Sequence, residues 1–399
     1  MNKEIDYLLS PKAIRERTKK IYDLTLEGKT SFEIDESKLQ ETADFVLEVI
    51  KDNYPSLEIP FHSRWGHFKV GNTNRVTQID EKLEGVDPLE KARTKLDLVI
   101  TSVLLDAGAG PTWSFKEGDK EFNRSEGLGV ASFHMFLNGD FSNQKCLSAD
   151  GKRLESISAD DIRKAFQVSD DNPLVGLDGR ASLLKSLGNC VSSKPEIFKD
   201  ARPGNIIDHM IETHGKSFKA QDLLKAVLLH FGDIWPSRIN YEGINLGDVW
   251  NHPLLGEKDD LDSLVPFHKL SQWLTYSLVE PIVEAGVEIT DAHEMTGLAE
   301  YRNGGLFIDK EVIRLKDTAL YEKAHLPDSE VIIEWRALTI QLLDKTAEII
   351  TKNLGLSSKE FPLAKVLEGG TWWAGRRVAK EKRADSSPPL KLDSDGTVF

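Results

Sequence analysis

The sequence predicts a mainly α-helical protein with a few short strands. Three observations carry this: apolar residues recur at helical spacing over long stretches, caps and stops punctuate those stretches, and strand-like runs are few and short. The earliest well-marked helix follows Ser37 and Gln40, an S-x-x-Q capping box, and carries Leu39, Ala43, Leu47 and Ile50 on one stripe. Asp87-Pro88-Leu89-Glu90 sets a cap, an N1 proline and an N3 carboxylate in order, and the helix it opens should stop near Gly108. Another helix begins at Ser158 with Asp161 three residues on; Ala220–Phe231 stops at Gly232, and Val265–Ala285 carries Pro281 near its end. The longest candidate, 329–353, has Ile332, Trp335, Leu338, Leu342 and Ile349 on one stripe and Gly355 as its stop. Strand candidates are 312–315 (VIRL) and 305–308.

With 399 residues, 40% hydrophobic and 29% charged, the chain has a globular composition able to bury a large core. Its net charge of −14 argues against a nucleic-acid backbone as ligand, while a local basic pocket for one phosphate stays compatible. Cys146 and Cys190 are far apart and form no C-x-x-C pair, which suits a reducing cytosol. The N-terminal stretch has no apolar h-region, and the most apolar segment, 96–110, is too short and too charged to span a bilayer. A cytoplasmic protein without membrane or nucleic-acid partners is expected. Weak boundaries divide an N-terminal helical segment (1–85), a main helical domain (86–379, with a sub-boundary near 200–218) and a C-terminal tail (380–399) whose composition reads as disordered.

Several familiar signatures fail. Gly28-Lys29-Thr30 and Gly215-Lys216-Ser217 lack the first P-loop glycine, since Asp23 and Met210 stand there. His293-Glu294 begins like H-E-x-x-H, but Gly297 replaces the second histidine, and the calcium-loop echo at Asp393 ends before its final glutamate. No metal and no cofactor is expected.

The remaining signals are loop-like clusters of aromatic and charged residues. They are 60–68 (His62, Arg64, Trp65, His67), 104–115 with 123–127 (Asp106, Trp113, Arg124, Glu126), 231–253 with 265–273 (Trp235, Arg238, Lys269, Gln272), and 369–377 (Trp372, Arg376). To these 293–309 adds Glu300, Tyr301, Arg302 and Asn303 ahead of Gly304-Gly305, read as a turn that lets backbone approach a ligand. Tryptophan platforms, arginines for an anion and carboxylates suit a small polar ligand bearing a sugar or phosphate. The plainer reading is that Trp335 is core, that one of Trp372 and Trp373 only packs, and that Arg–Glu neighbours are surface pairs of about 0–1 kcal/mol.

FHSRWGHF (61–68), LLDAGAGPTW (104–113), RSEGL (124–128), FQVSDDNPLVGLDGRASLL (166–184), FGDIWPSR (231–238), GLAEYRNGGLFID (297–309), GTWWAGR (370–376) and SDGTVF (394–399) resemble, in order over nearly the whole chain, a uracil-catabolism family of fungi and bacteria. More distantly, the layout is similar to the queuosine 5′-phosphate N-glycosidase family and its helical, DNA-glycosylase-like architecture. Its F-Y-K-R-A-Q stretch resembles Phe267–Gln272, which keeps Lys269 and Gln272; its A-D-Y-R-V-P-Q stretch resembles Ala299–Gly305, with Glu300 in place of the catalytic aspartate. Asp106 stands where that family has Asn.

The resemblance implies a hydrolase that cuts the N-glycosidic bond of a ribosylurea-type, 5′-phosphorylated intermediate and releases urea. Glu300 would then stabilise the cationic sugar, and Asp106 or His62 would protonate the leaving group. Arg64, Lys269, Arg302 or Arg376 would hold phosphate, and Trp65, Trp113 and Trp372 would wall the site. Two other readings stand beside it: a non-catalytic binding protein for a pyrimidine-derived nucleotide, and an amidohydrolase acting on the opened ring.

Overall fold

The computed structural model describes residues 2–106, 108–235, 238–258 and 260–393. Helices dominate, as the sequence predicts, and the strands among the described residues pair as short two-stranded ladders. The chain divides into two compact units. One gathers Met1–His62, Ser237–Trp273 and Asp291–Phe399, the other Ser63–Pro236 and Leu274–Thr290. Neither is continuous in sequence, so no single linker separates them.

The first unit is built on the helix Glu330–Leu354, whose stripe of Ile332, Trp335, Leu338 and Leu342 is buried and whose end is set by Gly355 in the left-handed region (φ 69°). It packs against the helices Pro11–Leu26, Leu39–Asn53 and Tyr301–Asp309. Ile14, Ile21, Ile333, Ala337 and Ile340 close on Val265, Phe267 and Ala299. Each large aliphatic buried this way contributes roughly 1.5–3 kcal/mol. The cluster also anchors two backbone points that matter below, because Ala299 precedes Glu300 and Phe267 lies two residues before Lys269.

Ile313–Leu315 is a strand, antiparallel to Phe32–Ile34 with Phe32 opposite Leu315, as VIRL suggests. Residues 305–308 are not a strand; they belong to the helix Tyr301–Asp309. Two consecutive glycines weaken helix propensity and hide that helix in the sequence, yet close packing requires them. A Cβ on Gly304 would lie 2.7 Å from the Trp335 Nε1. Gly304 and Gly305 therefore form no turn.

The caps at Asp87 and Ser158 form as expected, the latter with a full capping box to Asp161. Ser37 does not cap. It lies in a 3₁₀ turn (Glu36–Lys38) where Asp35 accepts both its N–H and its hydroxyl, and the helix Leu39–Asn53 has no side-chain cap. Residues 383–392 are ordered despite their composition. Arg383 donates to both oxygens of Asp309 (2.7 and 2.6 Å), Arg302 donates to the Ser386 carbonyl (2.8 Å), and Lys391–Leu392 pairs in parallel with Ala324–His325. The terminal SDGTVF lies outside the described residues.

The second unit surrounds the helix Pro88–Leu104, buried throughout 94–104 and ending four residues before Gly108. The helices Arg124–Leu137 and Leu177–Ser193 pack on it, and the hairpin Ser114–Glu117/Lys120–Asn123 joins Arg124–Leu137. No helix among the described residues is long and apolar enough to cross a membrane.

Candidate active site

Glu300 is the N-cap of the helix Tyr301–Asp309. Its Oε2 accepts the Arg302 N–H at 2.7 Å and its Oε1 the Asn303 N–H at 2.6 Å. A glutamate is an uncommon cap; here the helix N-terminus faces a carboxylate on one more methylene than the usual aspartate. The side chain is buried, with 8% of its surface exposed. Burial raises its pKa above the ordinary carboxylate value, opposed by the Arg302 N–H, the charge of Lys269, the Asn303 N–H and the charge of His62. Asn303 Nδ2 donates to the Leu298 carbonyl (3.0 Å), while its Oδ1 is buried without a hydrogen-bond donor.

The backbone around this carboxylate is held from behind. Asp248 accepts from Arg336 at both oxygens (2.7 Å each), from the Trp250 indole (2.7 Å) and from the Lys269 N–H (3.0 Å). Burial alone would raise Asp248; the charge and hydrogen bonds of Arg336 outweigh it and hold the carboxyl well below its ordinary range. Arg336 in turn donates through Nε to the Ala299 carbonyl (3.2 Å) and lies over the Phe267 ring at 4.1 Å. Between them His268 sits at φ 49°, in the left-handed region that costs a non-glycine residue about 1–3 kcal/mol. Such strain persists where the surroundings over-determine the backbone.

His62 belongs to the same unit. Its Nδ1 donates to Glu368 Oε2 at 2.8 Å, and the Tyr54 hydroxyl donates to Glu368 Oε1 at 3.1 Å. Glu368 rides on a π-helical turn, Leu367–Thr371, a geometry found frequently at functional sites. The following helix, Trp372–Lys382, places Trp372 6.2 Å from the His62 ring and the Arg376 guanidinium over Trp372 at 4.8 Å. That helix meets Tyr301–Asp309 at Gly375, where a Cβ would fall 2.2 Å from the Arg302 carbonyl oxygen. Sequence reasoning missed Glu368, Tyr54, Asp248 and Arg336. Glu368 stands one residue before the 369–377 cluster, and Asp248 lies inside 231–253, each an acid beside a tryptophan-rich run.

The structure therefore brings Glu300, Tyr301, Arg302, Asn303, Lys269, Gln272, His62, Trp372 and Arg376 into one unit, with Arg302 over the Tyr301 ring at 5.0 Å. Gln272 is fully buried: its Oε1 accepts from Thr296 N–H and hydroxyl (3.1 and 2.9 Å), and its Nε2 donates to the Phe267 carbonyl. Arg238, in this unit too, lies over Trp250 at 5.0 Å.

Asp106, Arg64, Trp65, His67, Trp113, Arg124, Glu126 and Trp235 belong to the other unit. There Arg64 is fully buried and paired with Asp106 at 3.2 Å. It donates to Ser102 Oγ (2.7 Å), to His67 Nδ1 (3.1 Å) and to the Ser125 carbonyl (3.3 Å). Burial lowers the Arg64 pKa, and Asp106 with Glu126 opposes that. Burial also pushes Arg180 down to about 10, opposed by Asp106. Asp106 is thus the counter-ion of a buried arginine. Trp65 and Trp113 are 2% and 1% exposed, and their indoles donate to the carbonyls of Ser277 and Phe166. Arg124 is exposed and Trp235 half-buried, while Ala107, Pro236 and Ser237 in these motifs lie outside the described residues.

Among the described residues two groups place three potential metal ligands within reach of one another: His252 with Glu330 and Glu334, and Asp291 with His293 and Glu294. In the first, Glu334 also accepts the Ser31 N–H at 2.9 Å. Its His252 Nε2 lies 3.4 Å from Glu334 without a hydrogen bond, while the ring's Nδ1 accepts the Leu254 N–H.

Residues 7–399 match a family described as a protein of unknown function (DUF1688). The chain belongs to this family. It is 39% identical over 404 residues to "Protein urg3" of Schizosaccharomyces pombe, covering 98% of each chain. It is 38% identical over 437 residues to "Uracil catabolism protein 4" of Lachancea kluyveri, covering 99% of each. The DUF1688 chain is thus similar end to end to a protein named for uracil breakdown.

Proposed function

We propose that this DUF1688 protein acts in uracil breakdown as an N-ribohydrolase, cleaving the bond between ribose and a urea-type leaving group. The observation that carries this reading is Glu300: a buried carboxylate fixed by two backbone N–H groups and set against the charges of Lys269 and His62. The Lachancea kluyveri relative is named for uracil catabolism. Opening a pyrimidine ring while it is attached to ribose leaves a ribosylurea, whose N-glycosidic bond must then be cut to free urea.

Breaking C1′–N gives the electron pair to nitrogen and leaves positive charge on the sugar ring. A carboxylate out of water stabilises that charge more strongly than one in water. Glu300 does this and takes a proton from the water that bonds to C1′. His62, in the same unit, supplies the proton that the urea nitrogen gains, so one water is consumed and ribose and urea leave neutral in net proton count. Lys269 and Arg376 hold a 5′-phosphate through charge-assisted bonds.

The deciding experiment incubates the purified protein with synthetic ribosylurea 5′-phosphate and with free ribosylurea, and measures urea by a coupled assay. Catalytic urea release, faster from the phosphate, is expected. Tight binding of either compound with no urea formed would establish a binding protein instead, and ammonia release with the glycosidic bond intact would mark an amidohydrolase.

A further inference from the structure

We infer that Glu368 is a positioning residue that fixes His62 as the proton donor, forming with Tyr54 a three-member relay Tyr54–Glu368–His62; this rests on the N-ribohydrolase reading given above. An ionised carboxylate only accepts hydrogen bonds, so the 2.8 Å contact puts a proton on His62 Nδ1 and leaves Nε2 as the nitrogen that exchanges protons with a substrate. The Tyr54 hydroxyl occupies the other Glu368 oxygen at 3.1 Å, which keeps the carboxylate from rotating away. Both groups are out of bulk water: the His62 and Glu368 side chains are 12% and 14% exposed.

The local backbone is built for this contact. A regular α-helix through 363–382 would carry Glu368 on a different bearing; the π turn Leu367–Thr371 swings it, and Asn53 Nδ2 donates to the Gly369 carbonyl at 3.2 Å to hold the turn. Gly369 and Gly370 admit the helix Leu39–Asn53 here, since Cβ atoms on them would strike Ile59, Val46 and Ile50. Tyr54 follows that helix directly. Burial, then Glu368, raises the Tyr54 phenol far above its ordinary value, so it stays a donor throughout the working range.

Two carboxylates act on this histidine, Glu368 on the π turn and Glu300 at the cap of Tyr301–Asp309; Lys269, at the head of Lys269–Glu284, acts on Glu300, and Arg376 lies over Trp372, the ring beside His62. Glu368 is the carboxylate in direct contact with the ring, so replacing it removes the charge that faces the Nδ1 proton. In the reaction, the His62 Nε2 proton passes to the departing nitrogen as the C1′–N electron pair collapses onto it. Imidazolium becomes imidazole, its Nδ1 proton stays on the ring in the hydrogen bond to Glu368, and solvent restores the Nε2 proton after urea leaves.

Two readouts test this. The first needs no turnover: nitrogen-15 NMR of the imidazole ring assigned by a His62→Gln control. Wild type should carry its proton on Nδ1 in the neutral ring, and Glu368→Leu should shift it toward Nε2, the form a free imidazole side chain prefers. An unchanged tautomer overturns the proposal whatever the protein's activity.

The second is the pH profile of kcat/KM for urea release from synthetic ribosylurea 5′-phosphate. Glu368→Gln should lower kcat by about 10–10²-fold with KM within about threefold, as for other groups that orient a functional histidine. Its alkaline limb should move to lower pH, and Glu368→Asp should restore part of the rate. A rate loss with no movement of that limb, matched by an equal loss in Tyr54→Phe and explained by a fallen Tm, would make Glu368 merely structural. If wild type releases no urea at all, the N-ribohydrolase reading fails while the tautomer result still decides the role of Glu368.

Discussion

Arg336 and Asp248 form a bidentate ion pair, 2.7 Å at each contact, and each partner also holds one backbone atom beside a candidate functional residue. Asp248 accepts the Lys269 N–H, and Arg336 donates to the Ala299 carbonyl next to Glu300. One pair thus fixes two chain segments that carry opposite charges. Removing one partner strands the other, which costs about 3–5 kcal/mol when the pair is buried. Arg336→Met and Asp248→Asn should each lower Tm strongly, while the double variant Asp248→Asn/Arg336→Met should recover part of the loss. Additive losses in the double variant would mean the two residues do not act as a pair.

The same pair sets an acid sensitivity. The folded Asp248 carboxyl lies well below its unfolded value of about 3.9, so its stabilisation is complete above that pH and disappears as pH falls toward the folded value. His230 adds a second loss of the same sign at higher pH. Burial and His209, whose ring is 4.7 Å away, push it down to about 4, so the unfolded chain takes up a proton from about 6.5 downward while the folded chain does so only near 4. Urea unfolding at pH 7, 5.5 and 4.5 should show falling stability, and His230→Gln should flatten the upper part of that fall. A wild-type curve level between pH 7 and 4.5 would contradict this assignment.

Much of the fold was readable in the sequence because its helices announce themselves. The Ile332–Leu342 stripe with Gly355, the Asp87-Pro88 start and the Ser158/Asp161 box all appear as caps, stripes and stops. The helix Tyr301–Asp309 did not, since its glycines serve contacts with Trp335 and Pro389 that only the folded chain supplies. The order of residues 383–392 rests likewise on partners far away in sequence, Asp309 and His325. Glu300, Lys269 and His62 were recognisable individually, but nothing local says that a carboxylate 306 residues from His62 orients it. Long-range pairs such as His62–Glu368 and Asp248–Arg336 leave no periodic trace.

Asp106 separates two roles that the sequence leaves open. As counter-ion to buried Arg64, it should be needed for folding. Asp106→Ala should destabilise by about 3–5 kcal/mol, because it leaves a charge without its partner in the interior. Asp106→Asn, which keeps the shape and a hydrogen-bonding oxygen, should fall between that and wild type. A variant with unchanged Tm but lost urea release would transfer Asp106 to the chemistry.

Close helix contact at Gly375 fixes where Arg302 and the Glu300 cap lie. A methyl group there meets the Arg302 carbonyl oxygen at 2.2 Å, so the helices Tyr301–Asp309 and Trp372–Lys382 must separate. Overpacking of this kind costs about 1–3 kcal/mol. Gly375→Ala should therefore lower Tm by several degrees and lower kcat more than KM, measured by melting and by steady-state urea release. Unchanged kcat in a destabilised Gly375→Ala protein would show that this contact does not set the cap.

Glu300→Gln is the most direct test of the central claim. The amide keeps size and one accepting oxygen but loses the charge and one of the two cap bonds, so Tm should fall modestly while the fold and the binding of ribosylurea 5′-phosphate survive, with urea release falling by about 10²–10⁴-fold. Because burial raises Glu300, the acidic limb of the wild-type kcat/KM profile should lie above the ordinary glutamate value of about 4.3. Near wild-type turnover by Glu300→Gln, with the same acidic limb, would remove this carboxylate from the reaction and reduce it to a helix cap.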